Sequence, residues 1–168
     1  MPSPSPAIRW SQPTDRDAIL ALIRDTGFFR DDEIEIAREV LDDALRDGPS
    51  GDYQSYTALL AGRPVGWVCF GHTPCTIGTY DIYWIAVDRG EQGKGIGRAL
   101  LQDAESRIAG LGGRISVLET SGRGLYDSTR GFYLKLGYIE EARLREFYAP
   151  GDDKVVYTKR LGGGQGRG

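Results

Sequence analysis

The sequence predicts an α/β (α+β) domain: a mixed, mostly antiparallel central sheet of about seven strands, with helices on both faces. Three observations lead there. Short blocks of β-branched, aromatic and alternating apolar residues recur along the chain, bounded by turn residues. Between them lie stretches with apolar residues at three- and four-residue spacing, the mark of helices. Most connections between strands are short, which makes antiparallel pairs, while one helical crossover makes a parallel pair.

The elements follow in order. Residues 7–12 read as a short strand with Ile8 and Trp10 on one face. Thr14 reads as a helix N-cap, with Asp17 three residues on in the manner of a capping box. Ile19, Leu22 and Ile23 then fall at helical spacing, and Gly27 closes that helix. Residues 31–46 form a second helix with the stripe Ile34, Ala37, Leu41, Ala44 and Leu45. Its eight carboxylates between Asp31 and Asp47 are either a solvated face or an attraction for a cationic substrate. Residues 53–60 and 63–70 are strands joined at Ala61-Gly62. Thr79 to Val87, TYDIYWIAV, is the most strand-like run, and its apolar content suits a central strand buried on both faces. After a glycine-rich turn, residues 96–111 are helical, with Ile96, Leu100, Ala104, Ile108 and Leu111 on one stripe. Residues 114–120 form a strand, and 127–136 a short helix stopped by Gly137. The last strands, 138–148 and 154–161, flank the turn Ala149-Pro-Gly-Asp-Asp153.

Composition narrows the function. With 168 residues and 18.5 kDa the chain has the size of one domain, expected over residues 7–161. Residues 1–6 and 162–168 read as flexible tails, proline-alternating and glycine-rich respectively. Lys and Arg number 21 against 24 Asp and Glu, a balance that argues against a nucleic-acid partner. One histidine and two cysteines leave no basis for a metal cluster or a disulfide scaffold. His72 reads as a turn residue, Cys69 as core and Cys75 as a loop thiol. Trp10, Trp67 and Trp84 read as core. No run approaches the roughly 20 apolar residues of a membrane span. The N-terminus lacks the basic start and apolar run of a secretory signal, so the expected location is cytoplasmic, with no membrane partner.

One segment carries chemistry. Gln92-Gly-Lys-Gly-Ile-Gly97 stands between the best strand and the best helix. Its glycines let backbone N–H groups approach a ligand closely, and a helix start adds unpaired donors and a positive dipole end. Together these make an anion site suited to phosphate, with Lys94 and Arg98 adding charge. Two familiar phosphate loops do not fit. A P-loop needs glycine where Asp88 stands and Ser or Thr where Gly95 stands. A dinucleotide fingerprint needs glycine where Arg98 or Leu100 stands.

Gln92, Gly95 and Gly97, following Val87, match the pattern Gln/Arg-x-x-Gly-x-Gly/Ala, and here the chain resembles the GNAT superfamily of N-acetyltransferases. Gly131-Phe-Tyr-Leu-Lys-Leu-Gly-Tyr138 resembles the family's later helix and turn, with Tyr133 at its tyrosine position. The element order agrees from about Ala7 to Leu161. The resemblance implies an acyl-CoA N-acyltransferase-like fold, with acetyl-CoA in a wedge where the 79–87 strand parts from the 114–120 strand. It implies that the pantetheine arm pairs with the backbone at Ile85, Ala86 and Val87. It also implies that the diphosphate rests on Gln92, Gly93, Lys94, Gly95, Ile96, Gly97 and Arg98. Where many members carry an asparagine that touches the cofactor, this chain has Tyr126. Homodimers are common in the family, which leaves self-association open.

The implied reaction is attack of an amine on a thioester. At pH 7 roughly one alkyl amine in two thousand is neutral, so a proton must be removed. Asp81 is the first candidate base: it lies six residues before Val87 on the strand, and so on the same face. Some family members carry a glutamate there. Glu119, near the end of the neighbouring strand, is the second. The family's tyrosine makes Tyr133 the candidate acid for the departing sulfur, and the Val87 N–H would polarise the thioester carbonyl. The expected acceptor is a primary amine of a small, amino-acid-like molecule. A peptide or protein amine, or a CoA-binding module without turnover, are the alternatives.

Overall fold

The computed structural model describes residues 4–162 and consists of seven strands and four α-helices. In chain order these are β1 (Ala7–Trp10), α1 (Arg16–Asp25), α2 (Asp31–Asp47), β2 (Gln54–Leu60), β3 (Arg63–His72) and β4 (Thr79–Val87). Then come α3 (Ile96–Gly110), β5 (Ile115–Ser121), α4 (Asp127–Lys135), β6 (Ile139–Ala149) and β7 (Asp152–Arg160). The strands form one sheet in the order β1-β2-β3-β4-β5-β7-β6. All pairings with a resolved register are antiparallel except β4 with β5, which follows the α3 crossover. The expected tails fall largely on residues 1–3 and 163–168, outside the described residues.

The chain divides into two compact units. The first takes the chain up to Gly71 together with Ile82–Ser106; the second takes His72–Asp81 and the chain from Arg107 onward. The division cuts β4 between Asp81 and Ile82.

The first unit is built on a cluster in which Ile19, Leu20, Leu22 and Ile23 of α1 and Ala37 and Leu41 of α2 close over Trp67, Cys69 and Ala86. The apolar stripes of both helices supply it, as their spacing requires. Trp67 is fully buried, and its indole N–H donates to the Ser55 hydroxyl at 2.8 Å. Trp84 stacks on it at 6.4 Å and is only half-buried. The β2–β3 hairpin turns through Ala61 and Gly62, with φ of 49° and 76°. Two successive positive φ values give the turn whose twist suits a tight hairpin.

Two local expectations change. The start of α1 is not capped by Thr14. The Gln12 N–H donates to the Asp15 carboxylate at 2.8 Å, and a short 3₁₀ turn at Pro13–Asp15 leads into the helix. Proline in that turn fixes the chain direction one residue earlier than the Thr14 reading assumed. β4 is central in order, but it is not buried on both faces. Ile82 and Ala86 are buried while Tyr83 stays 41% exposed, its ring edge-on to Tyr53.

The second unit packs α4 on one side of β5 and β7. Tyr133 lies 5.8 Å from Tyr157 and 6.1 Å from Tyr138, ring to ring. The Tyr138 hydroxyl meets the Ser116 hydroxyl at 2.8 Å, so the one polar atom of that buried ring is satisfied.

Candidate functional site

In the first unit the strand-to-helix segment forms an open cradle. Val87 ends β4, a 3₁₀ turn follows at Arg89–Glu91, and α3 starts at Ile96. Gly93 and Gly95 have φ of 77° and 85°, the left-handed region that glycine adopts without strain. A Cβ added at either would meet nothing within 4 Å, so the backbone there stands clear of side chains. The amide of Ala99 bonds the Gly95 carbonyl at 3.0 Å, which starts the helical ladder and leaves the first-turn N–H groups without helical partners. The Gln92 amide donates to the Val87 carbonyl at 3.3 Å and closes the loop on the end of β4. These features fit a diphosphate bound through backbone N–H groups. Ile96 is buried and anchors the cradle in the core, whereas Lys94 and Arg98 are exposed.

The cradle's charges are partnered. Lys94 Nζ lies 2.9 Å from Glu91, and Arg63 Nη2 reaches the other Glu91 oxygen at 2.8 Å. Arg63 also meets Asp88 at 3.2 Å, and the Asp88 carboxylate accepts the Gly90 N–H at 2.8 Å. The sequence reading missed Glu91 and Arg63, because nothing in their spacing announces a contact between residues 28 apart in the chain.

The second unit holds the candidate acid and both candidate bases. In the parallel β4–β5 ladder Thr79, Tyr80 and Asp81 pair with Ile115, Ser116 and Val117. Asp81 stands beside Val117, and Glu119 lies two residues further along β5. Strand side chains alternate, so Asp81, Val117 and Glu119 share one face. Leu118 and, paired with it, Tyr157 point to the other face, where Tyr133 packs. The two carboxylates and the tyrosine thus sit on opposite faces of the same short ladder.

Each has a definite environment. Asp81 is half-buried and accepts a bond of 2.5 Å from the Thr73 hydroxyl. Glu119 is 43% exposed and meets Lys154 Nζ at 2.9 Å. That ammonium also lies 4.3 Å from the Phe147 ring centroid, within the range of a cation–π contact. Tyr133 is 5% exposed, and burial pushes its hydroxyl well above the ordinary tyrosine range, with Tyr157 adding to the shift. A phenol in that state keeps its proton at neutral pH.

The loop into α4 is tied down. Arg130 donates to the carbonyls of Ser121 and Arg123 at 2.8 and 2.9 Å. Asp152, buried, accepts from the Ser121 hydroxyl and pairs with Arg123 at 3.3 Å. Tyr126, half-buried, lies with its ring 5.8 Å from the Arg123 guanidinium carbon. An aromatic ring thus stands where the resemblance expects an amide.

The acidic helix α2 has a simpler reading. Arg38 bonds Glu35 and Asp42, Arg16 bonds Asp42, Arg46 bonds Asp43 and Asp47, and Arg30 bonds Asp32. Much of its charge is neutralised locally, which favours the solvated face over attraction of a substrate. His72 ends β3, its ring 3.1 Å from the Thr76 carbonyl. Cys69 is buried and Cys75 exposed, both as free thiols. Among the described residues no cluster of metal-binding side chains occurs, and no helix is long and apolar enough to cross a membrane.

Comparison with known proteins adds to this geometry. Residues 51–140 match the model of the acetyltransferase (GNAT) domain. A crystal structure assigned to GNAT-family acetyltransferases, from Desulfovibrio desulfuricans, is 38% identical with a TM-score of 0.90. That likeness covers 94% of this chain and all of the other. An aminoglycoside 6'-N-acetyltransferase complexed with coenzyme A shares the fold at 18% identity and a TM-score of 0.76, covering 95% and 99% of the two chains. The ribosomal-protein-S18-alanine N-acetyltransferase of Escherichia coli does so at 17% identity and 0.73, covering 95% and 96%. No match was found among curated protein sequences.

Proposed function

This chain belongs to the GNAT family and is an acetyl-CoA-dependent N-acetyltransferase, and from that premise we propose that its acceptor is a small cationic primary amine, amino-acid-like in size. The cofactor supplies an activated acetyl thioester. The observation that carries the reading is the division of labour across the β4–β5 ladder: two carboxylates on one face and a protonated tyrosine on the other.

Each residue then has a task. The backbone N–H groups from Gln92 to Arg98 hold the diphosphate, and the main chain at Ile85, Ala86 and Val87 takes the pantetheine arm, with the Val87 N–H facing the carbonyl. Tyr126 supplies a ring contact in place of an amide. Asp81, fixed by Thr73, removes the proton from the acceptor ammonium. Glu119 lies two residues further along that face and draws in the positive acceptor, in exchange with Lys154. Tyr133 keeps its proton until a thiolate departs.

The test is an acceptor screen that reads free thiol from acetyl-CoA. Small primary amines and amino acids should give turnover, and peptide N-termini and protein lysines should give little. Turnover confined to peptides would overturn the acceptor assignment.

A further inference from the structure

Lys94 and Arg63 share one carboxylate. Lys94 Nζ contacts one oxygen of Glu91 at 2.9 Å and Arg63 Nη2 contacts the other at 2.8 Å. The Glu91 side chain is only 18% exposed, whereas Lys94 and Arg63 are half in solvent, at 50% and 55%. Glu91 is therefore the more covered member and Lys94 the more exposed one. Arg63 is itself fixed by a second carboxylate, Asp88, at 3.2 Å. Asp88 in turn is held by the Gly90 N–H and by its own amide, which bonds the Val65 carbonyl at 2.8 Å.

We propose that Glu91 competes with the coenzyme's phosphates for Lys94, and that Arg63 makes the exchange possible by staying on Glu91 when Lys94 leaves. The proposal rests on the cradle at Gln92–Arg98 being the diphosphate site. Lys94 stands within that cradle, and its charge is spent on Glu91. A diphosphate carries more negative charge than one carboxylate, so it draws the ammonium away. Without Arg63 the exchange would leave the Glu91 carboxylate without its ion pair, a loss on the scale of an exposed pair. With Arg63 in place, Glu91 keeps an ion pair and the swap exchanges one exposed contact for another. Lys94, foremost, and Arg63 also hold the Glu91 carboxyl below its ordinary range, so it remains charged and competitive at neutral pH.

Opposite signs follow for the two neighbours. Glu91→Gln removes the competitor and should tighten coenzyme A binding by about two- to fivefold, the scale of an exposed ion pair. Arg63→Gln should weaken binding by a similar factor. In the double variant the Arg63 effect should vanish, because Arg63 acts only through Glu91. Tightening in Glu91→Gln should come with a steeper fall of affinity with salt, since one more protein cation is free to meet phosphate.

The experiment is calorimetric titration of coenzyme A into the wild-type protein and the three variants at two salt concentrations. Thermal unfolding is followed in parallel to show that each variant is folded. The proposal fails if Glu91→Gln binds more weakly or equally, or if Arg63→Gln loses the same affinity with and without Glu91. A wild-type protein that gives no heat at all sinks the diphosphate site itself, an outcome distinct from either. Should Glu91→Gln fail to fold, Lys94→Gln decides. Under the proposal Lys94→Gln weakens binding at low salt when Arg63 is present and has no further effect in the Arg63→Gln background, because an unanchored Glu91 no longer releases Lys94; an equal loss in both backgrounds overturns it.

Discussion

The ammonium of Lys154 lies 2.9 Å from the carboxylate of Glu119, across the paired strands β7 and β5. Any cationic acceptor that uses Glu119 must displace that ammonium. Replacing Glu119 by Gln should therefore raise the acceptor KM severalfold while kcat changes by less than about threefold, the pattern of lost ground-state binding. Lys154→Met should lower the acceptor KM. A large fall in kcat for Glu119→Gln at unchanged KM would make Glu119 the base and remove Asp81 from that role.

Asp81 differs in its partner. A neutral hydroxyl, Thr73 Oγ1, donates to it at 2.5 Å and fixes its rotamer. Asp81→Asn should lower kcat by about 10²-fold or more, the loss expected when a placed base is removed. Thr73→Val should cost about three- to tenfold, the worth of one orienting bond. Steady-state kinetics with saturating acceptor across pH 6–9 tests both: the Asp81→Asn rate should climb as free amine accumulates. If Asp81→Asn lowers only the melting temperature, the residue is structural.

The sequence made the fold readable because its signals are local. The apolar stripes of α1 and α2, the Ala61-Gly62 turn and the glycine cradle each declare themselves within a few residues, and the structure has each in place. Two family patterns then joined the local elements into one topology. Partnerships across the sheet were not readable. Lys154 meets Glu119 from another strand, Thr73 meets Asp81 across the β3–β4 connection, and Arg63 reaches Glu91 from the start of β3. Such contacts depend on register and rotamer, which no spacing rule carries. The face division between Tyr133 and the carboxylates was hidden for the same reason, since it depends on how β5 aligns with both β4 and β7.

Burial sets the behaviour of Tyr133 at high pH. Its folded-state pKa lies above the unfolded value of about 10, so the folded protein holds that proton more tightly. The associated stability is complete below about pH 10 and declines as pH rises further, because only the unfolded chain ionises there. Tyr133→Phe should therefore flatten the loss of stability above pH 10, measured by denaturant midpoints. It should also lower kcat by about 10²-fold with coenzyme A affinity retained. A variant with wild-type turnover would leave Tyr133 as a core ring only.

Gly95 and Gly113 separate strain in the cradle from crowding in the fold. At Gly95 a Cβ has open space, but φ of 85° penalises any L side chain. Gly95→Ala should cost about 1–2 kcal/mol if the loop keeps its shape. If the loop relaxes instead, that cost reappears as about tenfold weaker coenzyme A binding, because the N–H groups no longer converge. At Gly113 the obstacle is contact: a Cβ would stand 2.2 Å from the Ile108 side chain and 2.8 Å from its carbonyl oxygen. A backbone atom cannot swing aside as a side chain can, so Gly113→Ala should destabilise by about 2–3 kcal/mol. Coenzyme A affinity of the folded fraction should be unchanged. Denaturation midpoints and calorimetry on the two variants test this, and a Gly113→Ala protein with full stability would show that the end of α3 yields more readily than its packing implies.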